Sequence, residues 1–137
     1  MKLFLGADHG GFELKQQLEA YLLARGFDVE DMGDDEFDKS DDFQLYASKV
    51  VMAMKAHAGE SRGILICTGG QGMAMAANRF KGIRASVIWD EVEASESRHD
   101  NDSNVLALPA RVVGHDKHLW QSIVDTWLST PFSGLAR

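Results

Sequence analysis

The chain of 137 residues carries a single cysteine. That excludes an intrachain disulfide and any zinc site built from several cysteines of one chain, and a lone thiol fits a reducing compartment. Basic residues are in short supply: 14 Lys and Arg against 21 Asp and Glu give a formal net charge of −7. A general nucleic-acid binder needs a basic surface, so that class is excluded. A small anionic ligand held in a local site is not. Long apolar runs are missing as well. No stretch reaches the ~18 apolar residues of a membrane helix, and Met1–Leu5 is too short for a signal peptide before Gly6-Ala7-Asp8 interrupts it. The expectation is a cytoplasmic protein without membrane contact. Hydrophobic residues make up 45% of the chain, which is globular rather than disordered composition. One domain over 1–137 has enough length for a core of its own.

The hydrophobic pattern alternates between two periods. Lys2–Gly6 is a short apolar run ending in glycine, a buried strand. Phe12, Leu14, Leu18, Tyr21 and Leu22 then recur at helical spacing until Gly26. Phe27 and Val29 mark a second strand, and the acidic stretch Met32–Ser40 a loop. A helix is predicted over Phe43–His57, a strand over Gly63–Cys67 and a glycine-rich turn over Thr68–Gly72. Met73–Phe80 reads as helix, Ile83–Val87 as strand, Glu91–Arg98 as helix, Val105–Leu108 as strand and Lys117–Leu128 as a closing amphipathic helix. No period is visible from Ser129 to Arg137. This alternation predicts a doubly wound, Rossmann-like sheet of five parallel strands with helices on both faces. Ligands of such sheets bind beyond the carboxyl ends of the strands, so chemistry belongs in the turns that follow them.

Four segments carry candidate chemistry. Gly6-Ala7-Asp8-His9-Gly10-Gly11-Phe12 joins the first strand to the first helix. Its glycines let backbone N–H groups approach an anion; Asp8 suits a sugar hydroxyl, and His9 a phosphate or a proton. The alternative is that Asp8 caps the helix and His9 is a surface residue. The segment lacks the G-x-G-x-x-G spacing of a dinucleotide site. Cys67-Thr68-Gly69-Gly70-Gln71-Gly72 follows the most apolar strand. A thiol ahead of a helix start is expected to have a lowered pKa, and successive glycine N–H groups form an anion-binding nest. A thiolate beside such a nest meets the needs of proton abstraction next to a carbonyl. The alternative is an inert buried cysteine before a structural turn. The polar run Ser97–Asn104 precedes the last strand, where Asn and Asp also favour turns. Arg111, just beyond that strand, and Arg137 could hold phosphate in planar geometry. His57, His115 and His118 read as helix-terminus or surface residues, and no His/carboxylate spacing suggests a metal. The acidic run Asp34-Asp35-Glu36-Phe37-Asp38 reads as a solvated loop.

Taken in order, these segments resemble the ribose-5-phosphate isomerase B and galactose-6-phosphate isomerase family. The resemblance runs through Gly6–Lys15, Tyr46-Ala47, Gly63–Cys67, Ala76–Ala85, Asn101–Ala107 and Arg111–Gly114. It implies an aldose–ketose isomerase of sugar phosphates that needs no metal and no organic cofactor. It implies a homodimer whose sites are completed by the neighbouring subunit. Cys67 would move a proton between C1 and C2 through an enediolate, stabilised by the stretch Thr68, Gly69, Gly70 and Gly72. Asp8 and Asn101 would contact sugar oxygens, and His9, Arg111 and Arg137 the phosphate.

The sequence departs from the family pattern where substrate is touched. The order after the cysteine is Thr68-Gly69-Gly70 instead of Gly-Thr-Gly. Phe43 stands where the family has a phenol, in Asp42-Phe43-Gln44 rather than Asp-Tyr-Pro. Asp100 holds the place of the family's ring-opening histidine, with His99 one residue early. The chain ends at Arg137, where relatives commonly continue to a second basic residue. These changes point to a shifted substrate among pentose, tetrose and hexose phosphates, with ribose 5-phosphate as the reference. A non-catalytic sugar-phosphate-binding protein of the same fold is the competing reading. A receiver domain would need an aspartate where Cys67 stands.

Overall fold

The computed structural model describes residues 1–33 and 42–135. Arg137 and the acidic run Asp34–Asp38 lie outside the described residues. The chain runs β1 (Lys2–Ala7), α1 (Phe12–Ala24), β2 (Asp28–Asp31), α2 (Phe43–Ala56), β3 (Ser61–Cys67), α3 (Gln71–Asn78), β4 (Ala85–Val87), α4 (Glu91–His99), β5 (Val105–Pro109), α5 (Ala110–Val113) and α6 (Lys117–Ser129). The strands form one parallel sheet in the order β2-β1-β3-β5-β4. Leu5 pairs with Ile64 in the register of β1 on β3, and Cys67 pairs with Pro109 in that of β3 on β5.

Side chains on a strand alternate between faces, and β3 divides its run accordingly. Ile64 and Ile66 pack with Leu3, Leu5, Leu106 and Leu108 against α1, α4 and α6. Leu65 and Cys67 pack with Phe4 and Val105 against α2 and α3. Trp120 and Trp127 of α6 are fully buried on the first face. The doubly wound reading therefore holds, with a core on each side of the sheet. A buried Leu or Ile contributes ~1.5–3 kcal/mol, so the fully buried run Ile64-Leu65-Ile66 fixes β3 at the centre of the sheet.

The chain leaves β1 toward β2 on one side and leaves β3 toward β4 on the other, although β1 and β3 are neighbours. Their carboxyl ends therefore flank a topological switch point, where such sheets open a crevice. Asp8 and Cys67 stand at its two lips. On the β2 side the crevice is braced by Lys15, whose ammonium is fully buried and lies 2.9 Å from both Asp31 carboxylate oxygens. Asp31 also accepts the Gly33 N–H at 2.8 Å.

Several boundaries shift from the sequence expectation. A single 3-10 turn, His9–Gly11, precedes α1, and α5 follows β5 where no helix was predicted. The first is the three residues His-Gly-Gly and the second is four residues long, so neither carries a readable period. Helix α3 starts two residues earlier than its apolar stripe, at Gln71, because Gly70 caps it in the left-handed conformation. That places Gln71 and Gly72 in the helix instead of the turn. Among the described residues no helix is long and apolar enough to cross a membrane.

Candidate active site

The Cys67 side chain ends β3 on the α2/α3 face and is 7% exposed. Its Sγ accepts the Gly70 N–H at 3.1 Å. The turn can aim that N–H backward because Gly70 sits at φ +76°, a conformation that costs an L side chain ~1–2 kcal/mol. The N–H groups of Met73, Gly70 and Gly69 all favour the thiolate, as expected of a helix start. Burial outweighs them, and the nearby Asp8 carboxylate adds to it, so the Cys67 pKa is raised rather than lowered. The sequence expectation of a depressed thiol is corrected here. It counted the helix terminus but not the desolvation supplied by α2 and α3.

Asp8 is buried, and its Oδ1 accepts the Gly10 N–H at 2.9 Å. It therefore caps the 3-10 turn while facing the thiol. Thr68 is exposed, and its Oγ1 lies against Gly10, so its hydroxyl projects toward the β1 turn. The Arg111 main-chain N–H donates to the Thr68 carbonyl at 2.9 Å, and its guanidinium lies 3.8 Å from where a Cβ on Gly69 would stand. The ring of Phe43, in the first turn of α2, covers Gly72: a Cβ there would lie 2.8 Å from the ring. Asp8, His9, Phe43, Cys67, Thr68, Gly69, Gly70, Gly72 and Arg111 thus converge on the carboxyl end of the sheet.

Two openings flank this centre. One, of about 370 Å³, is lined by Gly10, Glu13, Thr68, Arg111 and His115 among others. His115 is exposed just past the end of α5, in keeping with its reading as a helix-terminus or surface residue; that it also lies beside Arg111 follows from the short α5, which no period announced. The other, of about 700 Å³, is an apolar groove between α2 and α3 that includes Phe43, Gly72, Met75, Arg79 and Phe80.

His99, Asp100 and Asn101 do not join the cluster within one chain. They end α4 and lead into the start of β5, whereas Cys67 pairs with the last residue of that strand. The four steps from Val105 to Pro109 alone separate the two ends by about 13 Å at ~3.3 Å per residue. The Nδ1 atom of His99 lies 2.9 Å from Oδ1 of Asp100, and the imidazole is half exposed. Asp100 keeps the right-handed helical backbone, with its N–H on the Glu96 carbonyl at 2.9 Å, so the two side chains meet at the end of α4 without a break in the helical step.

Comparison with known proteins decides the family. A sequence model of the ribose/galactose isomerase family matches residues 3–137. The chain belongs to that family. Ribose-5-phosphate isomerase B of Escherichia coli is 44% identical over 133 residues, covering 97% of this chain and 87% of that one. D-erythrulose-4-phosphate isomerase of Pectobacterium atrosepticum is 34% identical over 134 residues, covering 98% and 86%. The crystal structure of ribose-5-phosphate isomerase B from Mycoplasma genitalium with bound ribulose-5-phosphate superposes with a TM-score of 0.92, at 35% identity over 98% of this chain and 87% of that chain. This protein is accordingly an aldose–ketose isomerase of sugar phosphates.

Proposed function

We propose that Cys67 is the base that carries a proton between C1 and C2 of an open-chain sugar phosphate. The supporting observation is the thiol at the switch-point crevice, hydrogen-bonded by Gly70 and ringed by the N–H groups of Gly69 and Met73. As the proton leaves carbon, negative charge grows on the neighbouring oxygen. N–H groups fixed beforehand stabilise that charge without reorganising. The thiol then returns the proton to the other carbon while a second proton passes from one enediolate oxygen to the other, so no atom is gained or lost. Asp8 orients a substrate hydroxyl, and His9 and Arg111 bind the phosphate.

The functional unit is a homodimer. One chain holds Cys67 and His99–Asn101 at opposite ends of its sheet, so a site that uses both draws the second group from a neighbouring copy. Helices α2 and α3, which cover the Cys67 face of the sheet, expose Leu45, Met52 and Met75, and Met75 lines the 700 Å³ groove. An apolar surface of that kind suits burial against another copy.

The substrate favoured is a four-carbon aldose phosphate, with ribose 5-phosphate as the alternative. Phosphorylation of O4 leaves a tetrose without the hydroxyl that closes a furanose ring, so no residue is required to open one. That agrees with Phe43, which has no hydroxyl, and with His99 turned onto Asp100. The experiment is Cys67→Ala, assayed by proton exchange with solvent over a panel of aldose and ketose phosphates. Loss of a general base costs ~10²–10⁴-fold in rate. A variant that keeps more than about a tenth of the wild-type rate, against that expected loss, removes Cys67 as the base.

A further inference from the structure

The residues just before β5 are held far more firmly than an exposed turn requires. The Ser133 N–H donates to the His99 carbonyl at 3.0 Å, and the Asp100 N–H to the Glu96 carbonyl at 2.9 Å. The Nε of Arg84 donates to the Asn101 carbonyl. The Asp102 N–H reaches the Arg98 carbonyl at 3.2 Å, and the Ser103 N–H the Ser97 carbonyl at 3.0 Å. From 99 to 103, therefore, every residue has a main-chain group tied down.

At the centre stands Arg98. It is 5% exposed, yet it carries a full charge. Its Nη1 donates to Asp102 Oδ1 at 2.9 Å and to the Ser103 carbonyl at 2.6 Å, and its Nε to the Thr130 carbonyl at 3.1 Å. Burying a guanidinium is costly, and a well-packed apolar side chain is commonly no worse for stability. Asp102 adds a second local cost: at φ 52° it is the one non-glycine among the described residues with positive φ. Asp and Asn are the side chains that best tolerate this conformation. Beneath them Ser103 Oγ accepts the Trp127 Nε1–H at 2.9 Å and lies 2.9 Å from Ser97 Oγ. The main chain is fixed from below, while His99 and Asn101 remain exposed.

A fixed main chain with outward-facing polar side chains is how a protein presents groups to something outside its own fold. We propose that Asp102, Arg98 and Arg84 are positioning residues, which hold Asn101 at the height needed to reach the sugar in the Cys67 site of a neighbouring copy. This inference rests on the shared site proposed above. Asp102 and the two arginines are assigned no chemical step; they act through the segment they fix.

The test is steady-state kinetics of Asp102→Ala and Asp102→Asn in the full-length protein, on whichever sugar phosphate the wild type turns over fastest. A shift of about an ångström at a reacting group costs ~10²-fold in rate. Asp102→Ala is expected to lose about that much in kcat, with KM changed less than about threefold. Asp102→Asn still accepts from Arg98 and still tolerates the left-handed backbone, so it is expected to keep kcat within about threefold of wild type. If Asp102→Ala fails to fold, Arg84→Ala takes its place, because it breaks only the contact to Asn101 on the partly exposed side. It is expected to lower kcat with the unfolding midpoint unchanged. A folded Asp102→Ala or Arg84→Ala with kcat within about threefold of wild type overturns the proposal. So does an Asp102→Asn variant as slow as Asp102→Ala. Cys67→Ala tests the reaction independently, so positioning can fail while the base assignment stands.

Discussion

Replacing Gly70 by alanine tests the fold and the chemistry of the site together. Gly70 caps α3 at φ +76°, and an L side chain in that region costs ~1–2 kcal/mol. The added Cβ would also stand 3.3 Å from Val87 Cγ1, 3.4 Å from the Pro109 nitrogen and 3.6 Å from the Ala107 carbonyl oxygen, so β4 and β5 leave it little room. A domain of this size loses roughly 3–4 °C in Tm per kcal/mol, which puts the expected fall at about 3–8 °C. The backbone can relieve the strain by rotating the peptide that carries the Gly70 N–H. That rotation withdraws the donor from Cys67 Sγ, now 3.1 Å away. Burial already holds the thiol above its ordinary pKa against three N–H donors. With one donor gone the pKa rises further, and less thiolate is present at neutral pH. The alkaline-going limb of kcat/KM, which reports the free enzyme, is then expected to move to higher pH in the same variant that melts earlier. The measurements are a thermal melt and a pH–rate profile. A fall in Tm with an unmoved limb would mean that the Gly70 N–H does not tune the thiol. An unchanged Tm would refute the account of the left-handed cap.

The raised pKa of Cys67 also has a thermodynamic consequence. Between the ordinary thiol pKa and the higher folded value, the unfolded chain releases a proton that the folded one keeps, so stability falls as pH rises. The wild type is expected to lose more stability than Cys67→Ser across the alkaline range in urea titrations; parallel curves would contradict the shift. Asp31→Asn removes the Asp31 charge that faces the fully buried Lys15 ammonium and is expected to destabilise the fold by about 3–5 kcal/mol. Lys15→Met is expected to cost less, because Asp31 is 19% exposed and can be solvated; the reverse order in chemical denaturation would refute the bracing role. His99→Ala and Asp100→Ala are expected to leave turnover of a tetrose phosphate intact, and a wild-type preference for ribose 5-phosphate over every tetrose phosphate would reject the open-chain substrate. Sedimentation is expected to give a dimer at micromolar protein, and a fully active monomer would contradict the shared site.

The sheet was legible because its central strand is apolar on both faces. Gly63-Ile64-Leu65-Ile66-Cys67 fits a strand covered by helices on either side, and the structure buries it there. The glycine turns after β1 and β3 were legible too, since their residues are defined by what a tight turn admits. What stayed hidden is what distant segments contribute. The Cys67 pKa was read from the helix start, a local feature, whereas its direction is set by α2 and α3, which bury the thiol. Arg98 read as one member of a polar run, because nothing near it in sequence announces Thr130 or Trp127 beneath the loop.

The placement of His99–Asn101 belongs to neither class, and it follows from the pattern alone once the consequence is drawn. In an all-parallel sheet each connecting helix returns the chain from the carboxyl end of the strands to the amino end. A residue that ends such a helix and precedes a strand must therefore lie at the amino end. Cys67 ends a strand and must lie at the carboxyl end. No side-chain rotation spans β5, so a single copy could never bring the two polar segments together. The parallel reading and a site that used both segments were compatible only if a second copy took part. The family resemblance suggested that arrangement; the direction of the strands adds that a site using both segments would have to draw one of them from a second copy.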